Sequence, residues 1–302
     1  MQGRTLGQAG PPAAYDGRMP LRPIDLHTPS SVSVGTESPA ELVSAAASAG
    51  LGVVALTDHD STAGWSEATR AVAGTGLTLV PGMEMSTRLG MNSVHMLAYL
   101  FDPEDAALVA ETARLRDSRL HRAERIVERI GADYDVSWGD VLAQSTPGAT
   151  LGRPHIADAL VAKGLAPDRS AAFAGILHWR SGYYEPHEAP SPIDAIRLIR
   201  AAGGVPVIAH PATRGRDTNI SARSFEQLVE AGLLGVEVRH RENTEAGAER
   251  LRELASRHDL ITTGSSDYHG TGKPNRLGEN STDPEQLARI VDAATGWRPV
   301  EG

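Results

Sequence analysis

The chain contains no cysteine. A disulfide framework, a thiolate-bound zinc site and a cysteine nucleophile are therefore excluded, and a reducing cytoplasm is the default compartment. Long apolar runs are missing too, and no stretch approaches the roughly 18 residues needed to span a bilayer. Aromatic side chains make up only 4% of the residues. Positive charge is in deficit. The formal net charge of −9 argues against a broad nucleic-acid surface and against a long nucleic acid as the partner, while leaving room for a local basic pocket. The first 21 residues are rich in Gly, Pro, Ala and Arg, lack the apolar core of a secretory signal, and read as a flexible extension.

What is present is enough apolar material, 40% of 302 residues, for one large α/β domain or a barrel with an insertion. From residue 22 strand and helix alternate. "RPIDL" reads as a strand, and "SPAELVSAAASAG" as a helix with Ser38 as N-cap, Pro39 at its first position and Gly50 as its stop. "LGVVALT", "LTLVPGMEMS" and "SVHMLAYLF" read as further strands, with a helix in "TAGWSEATRAVAG". Between about 103 and 190 the pattern turns wholly helical, led by an Arg-rich amphipathic stretch over 103–131. Alternation then returns with strands "VPVIAH", "LLGVEV" and "LITTGS". The pattern predicts a mostly parallel sheet with crossover helices, interrupted by a helical insertion.

Of the 11 histidines, His27, His59, His95, His155, His210 and His269 fall at or just beyond strand ends or at a helix start. Parallel α/β sheets and barrels gather their active-site residues at strand C-terminal ends. Carboxylates accompany them at Asp25, Asp58, Asp60, Glu84 and Asp267. Imidazole with carboxylate and no sulfur suits Zn, Mn or Fe(II) without selecting one. Each motif has a plainer reading, since "TDHD" could be a capping turn and "GRPHIA" a Pro-initiated helix. "SSDYHG" is more specific, because Asp267 and His269 point to one side of an extended segment. Recurrence in order along the chain is what carries the case for a metal site.

These segments together resemble the PHP (polymerase and histidinol phosphatase) family of metal-dependent phosphoesterases, in the branch of stand-alone nucleotide phosphatases with a helical cap. The resemblance runs from about residue 23 to 292 through "DLHTP", "ALTDHDSTAGW", "PGMEMS", "VHMLAY", "GRPHIA", "GGVPVIAHP" and "TGSSDYHG". It implies an α/β fold, a distorted (β/α)7 barrel in two parts, 22–102 and 191–302, with a helical cap insertion over 103–190. It also implies one to three divalent ions, Mn, Zn or Fe, at the barrel mouth. Carried over by position, Glu84 bridges. One ion would use Glu84, His95 and His155, a second His27, Glu84 and Asp267, and a third His59 and His269. His210 and Arg153 fall where relatives contact the substrate phosphate.

Two positions depart from the family pattern. Pro29 stands where the second ion would gain another histidine, and Val34 where the third would gain an aspartate. Neither side chain can coordinate a metal, so the second and third sites are expected to be weakened. The chemistry otherwise coheres. A phosphate monoester is an anion whose hydrolysis needs neutralised oxygens and a hydroxide at neutral pH, which adjacent ions supply. Arg153 could fork onto phosphate oxygens, and His210 could hydrogen-bond them or protonate the leaving group. The expected function is hydrolysis of a small phosphorylated substrate such as a mononucleotide by an altered or slow phosphoesterase. The alternative is a protein that keeps a metal or nucleotide site without that activity, or that serves a biosynthetic pathway. Trp179, Tyr183 and Tyr184 are expected to pack the cap hinge, with base stacking as their other use. The arginines at 114, 116, 119, 122, 125 and 129 are expected to form a solvated face.

Overall fold

Ser38 closes a capping box with Glu41 ahead of Pro39, and the helix it starts is the first of ten α-helices among the described residues. The computed structural model describes residues 22–213 and 220–302. The expected extension over 1–21 lies outside the described residues. The barrel's first part comprises β1 (Ile24–Thr28), α1 (Pro39–Ser48), β2 (Val53–Leu56), α2 (Trp65–Val72), β3 (Thr78–Leu89) and β4 (Asn92–Tyr99). Five helices follow without a strand: α3 (Ala106–Gly131), α4 (Trp138–Leu142), α5 (Arg153–Ala162), α6 (Arg169–Ala174) and α7 (Pro192–Ala201). Alternation resumes with β5 (Val205–Ile208), α8 (Ala222–Glu230), β6 (Gly235–Arg239), α9 (Glu245–Arg257), β7 (Ile261–Gly264) and α10 (Pro284–Ala293), and the short β8 (Val300–Glu301) pairs with β3.

Strands β1 to β7 are neighbours in sequence order and curl into a nearly closed barrel. The gap between β1 and β7 is closed by side chains and loop backbone. Asp25 accepts the N–H groups of Ser266 and Gly278, at 3.0 and 2.9 Å, and Thr282 N–H reaches Ile24 O at 2.9 Å. Alternate strand residues feed two cores. Ile24, Leu26, Val53, Ala55, Val80, Leu97 and Val207 meet α10, whereas Val54, Leu56, Leu79, Met83 and Met96 meet the surrounding helices. A third cluster lies among α3 to α6, around Ile126, Ile130, Val141, Ile156, Leu160 and Leu177.

The sheet is mostly parallel, as expected: β1–β2, β2–β3, β5–β6 and β6–β7 pair parallel, and β4 alone runs against both of its neighbours, which makes the barrel mixed. β3 and β4 pair antiparallel from Gly82↔Tyr99 to Leu89↔Asn92, and β4 pairs antiparallel with β5. Only Gly90 and Met91 separate β3 from β4, with Gly90 at φ +60°. A parallel crossover needs a dozen or more residues, so a two-residue connection permits only a hairpin. One consequence reaches the site. A strand running the other way presents its N-terminal half at the rim where its neighbours β3 and β5 end, which puts His95 opposite Ser86 at the barrel mouth. Among the described residues no helix is long and apolar enough to cross a membrane.

Candidate metal centre

Glu84 is the hub of the mouth. Its Oε1 lies 2.7 Å from His95 Nδ1 and 3.3 Å from His210 Nε2, and its Oε2 lies 3.2 Å from His27 Nε2 and 3.3 Å from His59 Nδ1. Each imidazole comes from a different element: His27 from β1, His59 from the turn after β2, His95 from β4 and His210 from the exit of β5. An isolated bridge between His59 and Glu84 extends the β2–β3 pairing to the rim. Burial opposes the charge on Glu84, but the His59, His95 and His27 imidazoles outweigh it and hold its carboxyl well below the usual range.

Two groups that could each hold a metal ion share this carboxylate: His27, Glu84 and His210, and His59, Glu84 and His95, with the donor atoms of each within 4.8 Å of one another. Donors bonded to one ion at about 2.0–2.2 Å end up roughly 3 Å apart, and each of the four imidazole nitrogens lies 2.7–3.3 Å from a Glu84 oxygen. An orphan atom supports the fit. His27 Nε2 is buried and makes no hydrogen bond, although Glu84 Oε2 and Asp267 Oδ1 lie 3.2 and 3.5 Å away. Burial drives the pKa of His27 down, but Glu84, Asp267 and Glu237 outweigh it and raise it well above the ordinary value. A cation is called for at Nε2, either a proton or a metal ion. Burial keeps His59 and His95 in the neutral form that ligates.

Behind this layer stand groups that the motifs did not announce. Glu237, fully buried in β6, takes His27 Nδ1 on one oxygen at 3.3 Å and the backbone N–H of His210 on the other at 2.7 Å. Burial pushes its carboxyl up, yet the His27 and His240 charges bring it down to about 2. Such a carboxylate fixes the tautomer of a ligating imidazole. His240 follows β6, its ring 5.0 Å from that of His210 and its Nε2 3.6 Å from Asp267 Oδ2. Glu237 was legible as the lone charge in the apolar run "LLGVEV".

Asp267 and His269 sit beyond β7, and Asp267 Oδ1 lies 3.5 Å from His27 Nε2 and 3.4 Å from His269 Nδ1. Neither belongs to the two groups on Glu84. His155, expected to complete the Glu84–His95 set, is not in direct contact with that carboxylate. It is the third residue of α5, and its Nδ1 accepts the Gly152 N–H at 3.2 Å, so that nitrogen is committed to the helix start. Among the described residues no hydrogen bond or ion pair joins His155 to Glu84, and His210, expected to contact the substrate phosphate, stands 3.3 Å from that carboxylate. Arg153 lies among the helices, its guanidinium 5.0 Å from the Phe173 ring centre and 5.4 Å from that of Tyr184. Tyr184 also faces Arg122, whereas Tyr183 packs against Tyr134 and Trp179 is 60% exposed.

The first loop, with Pro29 and Val34, is tied to Asp58. Asp58 receives Ser30 N–H and Ser30 Oγ at 2.8 Å and Ser33 Oγ at 2.7 Å. Gly35 is held so tightly that a Cβ there would lie 2.5 Å from Pro29 O. Both Pro29 and Val34 are buried.

The His210 placement carries a prediction. His210→Ala is expected to weaken metal retention at least about tenfold, since losing even an outer partner of a ligand costs roughly 10–100-fold. His155→Ala should leave metal content unchanged. Elemental analysis after dialysis decides between them, and the opposite pattern would restore His155 to the ligand set.

A barrel whose mouth gathers histidines around one buried carboxylate defines the class. The PHP domain family matches residues 24–128. The 3',5'-nucleoside bisphosphate phosphatase of Chromobacterium violaceum is 31% identical over 285 residues, covering 92% of this chain and 96% of that protein. The 5'-3' exoribonuclease of Haemophilus influenzae is 31% identical over 249 residues, covering 81% of this chain and 89% of that protein. A solved structure from Bifidobacterium adolescentis, described as a metal-dependent phosphoesterase, superposes with a TM-score of 0.89 at 44% identity, covering 92% of this chain and 98% of its own. The chain belongs to the PHP family.

Proposed function

We propose that this protein is a metal-dependent phosphoesterase that hydrolyses phosphate monoesters of small substrates, nucleotides foremost. The observation that carries the reading is the convergence of His27, His59, His95 and His210 on Glu84. His27, Glu84 and His210 would hold one divalent ion, and His59, Glu84 and His95 a second. Mn, Zn and Fe all suit these donors. Bound there, the ions would supply Lewis acidity and a hydroxide at neutral pH. Glu237 aims His27 at the centre by holding its Nδ1. Residues 103–190 serve as a cap, with Arg116 and Arg119 of α3 reaching Asp60 at the rim, at 2.7 Å each. Arg122 and Arg153 bring two guanidiniums to Tyr184, where a second anionic group of a substrate could be held.

The test is phosphate release from Mn²⁺-loaded protein offered a mononucleotide, a 3',5'-nucleoside bisphosphate, a cyclic phosphodiester and a short RNA. Inorganic phosphate from the first two supports the proposal. Mononucleotides released from RNA alone would make the enzyme a diesterase, consistent with the exoribonuclease relative. Binding without turnover would favour the second reading, a protein that keeps the site without the activity, to which Pro29 and Val34 point.

Those two positions give a direct prediction. Because Asp58 holds the loop and proline contributes no N–H to lose, Pro29→His with Val34→Asp should fold and add a donor to each incomplete set. Phosphatase activity should rise at least about tenfold, equivalent to roughly 1.4 kcal/mol of barrier. More metal with no added activity would count against an impaired phosphatase and favour a pocket turned to another task.

A further inference from the structure

One cation in the mouth belongs to the chain itself. Lys273 Nζ lies 2.6 Å from Asp267 Oδ2, on the oxygen opposite the one that faces His27 and His269. The segment that carries it is fixed. Asn275 Nδ2 donates to Ser266 O at 2.7 Å and to Asp267 O at 3.3 Å. Thr36 Oγ1 donates to His269 O at 3.2 Å and accepts Thr271 N–H at 3.0 Å. Thr36 ends the loop that contains Pro29 and Val34, so the loop that lost two donors is tied to the turn that delivers the ammonium. The two ligand groups on Glu84 leave out Asp267 and His269.

We propose that the Lys273 ammonium takes the place of a metal ion on Asp267, so that this centre works with two ions on Glu84 and a fixed organic cation as its third positive charge. The argument is electrostatic. An ammonium 2.6 Å from a carboxylate oxygen satisfies the charge that would otherwise recruit a divalent ion. With Pro29 and Val34 in the first loop, an incoming ion would gain too few donors to displace it. Lys273 is 31% exposed at its side chain, so it can also meet an anionic oxygen of a substrate held at the mouth. The assignment rests on the metal-phosphoesterase reading above, but metal stoichiometry tests it apart from catalysis.

The experiment is equilibrium dialysis against Mn²⁺ followed by elemental analysis, on the wild-type chain and on Lys273→Met, Lys273→Gln and Lys273→Arg, with folding checked by circular dichroism. The wild type and Lys273→Arg are expected to hold two ions. Lys273→Met and Lys273→Gln are expected to hold a third, or to bind the same ions at least tenfold more tightly. Two neutral variants guard against one failing to fold. Identical stoichiometry and affinity in all four proteins would overturn the role of Lys273 while leaving the two-ion centre standing. Three ions in the wild type would overturn it as well. No bound Mn²⁺ in any of the four would overturn the metal reading together with it.

Discussion

Replacing Glu84 by alanine is expected to abolish metal retention and to lower hydrolysis by about a thousandfold or more, while the barrel still folds. Both ligand groups use this carboxylate, so its loss removes a donor from each at once. Metal clamping is worth several kcal/mol of transition-state stabilisation, and about 4 kcal/mol is roughly a thousandfold in rate. The electrostatics sharpen the test. Glu84 helps hold a proton on His27, so its removal leaves the imidazoles more readily neutral and individually better able to ligate. Metal loss in the variant would then come from the missing bridge and not from protonated histidines. Glu84→Gln, which keeps the shape and removes the charge, should behave nearly as badly. Elemental analysis and phosphate release measure both effects. A Glu84→Ala protein that keeps two ions and activity within tenfold of wild type would take the bridging role away from this residue.

The strands were readable because their composition left little choice. "VVAL" and "VPVI" are apolar at every position and buried at every position, as strands covered on both faces must be. The capping box at Ser38 and the stop at Gly50, with φ +78°, follow from local hydrogen bonding and sterics. The antiparallel turn at Gly90 was also in the sequence, since two residues cannot cross a sheet. What periodicity could not supply was the partner of each helix face. The arginines of α3 recur at spacings that define faces, and a solvated face was the natural reading. Only Arg114 pairs locally, with Glu111. Arg116 and Arg119 reach Asp60, and Arg122, Arg125 and Arg129 reach Glu185 or its backbone.

The site shows the same division. Strand-end positions marked His27, His59, Glu84, His95 and His210 as members of one rim, because a barrel brings strand ends together whatever their separation along the chain. Pairing within the rim is set by distances across the mouth, and sequence order does not encode those. The sequence reading assigns the donor role to His155 and the phosphate to His210. The start of α5 commits the Nδ1 of one, and the exit of β5, with His210 at φ +30°, turns the other toward Glu84. Lys273 gave no signal, since a lysine in a polar loop is ordinarily solvated.

Arg119→Met is expected to cost about 3–5 kcal/mol of stability, the range for breaking a buried ion pair from one side. Arg119 is 8% exposed, at the middle of α3. Its Nε donates to Asp60 Oδ2 at 2.7 Å, and its Nη2 donates to Ser86 Oγ at 2.6 Å. Ser86 in turn gives its N–H and its hydroxyl to the two oxygens of Asp60, each at 2.7 Å. Asp60 is fully buried, so its carboxylate has no route to water, and its φ of +52° lies in a region that non-glycine residues seldom adopt. Removing the guanidinium therefore strands a charge in the interior. At roughly 2–4 °C per kcal/mol, the melting temperature should fall on the order of 10 °C. Asp60→Asn in the Arg119→Met background should recover part of that loss, because residues in one network do not add independently. Metal binding should weaken along with stability, since Asp60 follows His59 directly and this network holds the turn that presents it. Thermal unfolding of the two single variants and the pair measures the coupling. A shift below about 2 °C for Arg119→Met, under roughly 1 kcal/mol, would show that α3 rests on the barrel through its apolar face alone.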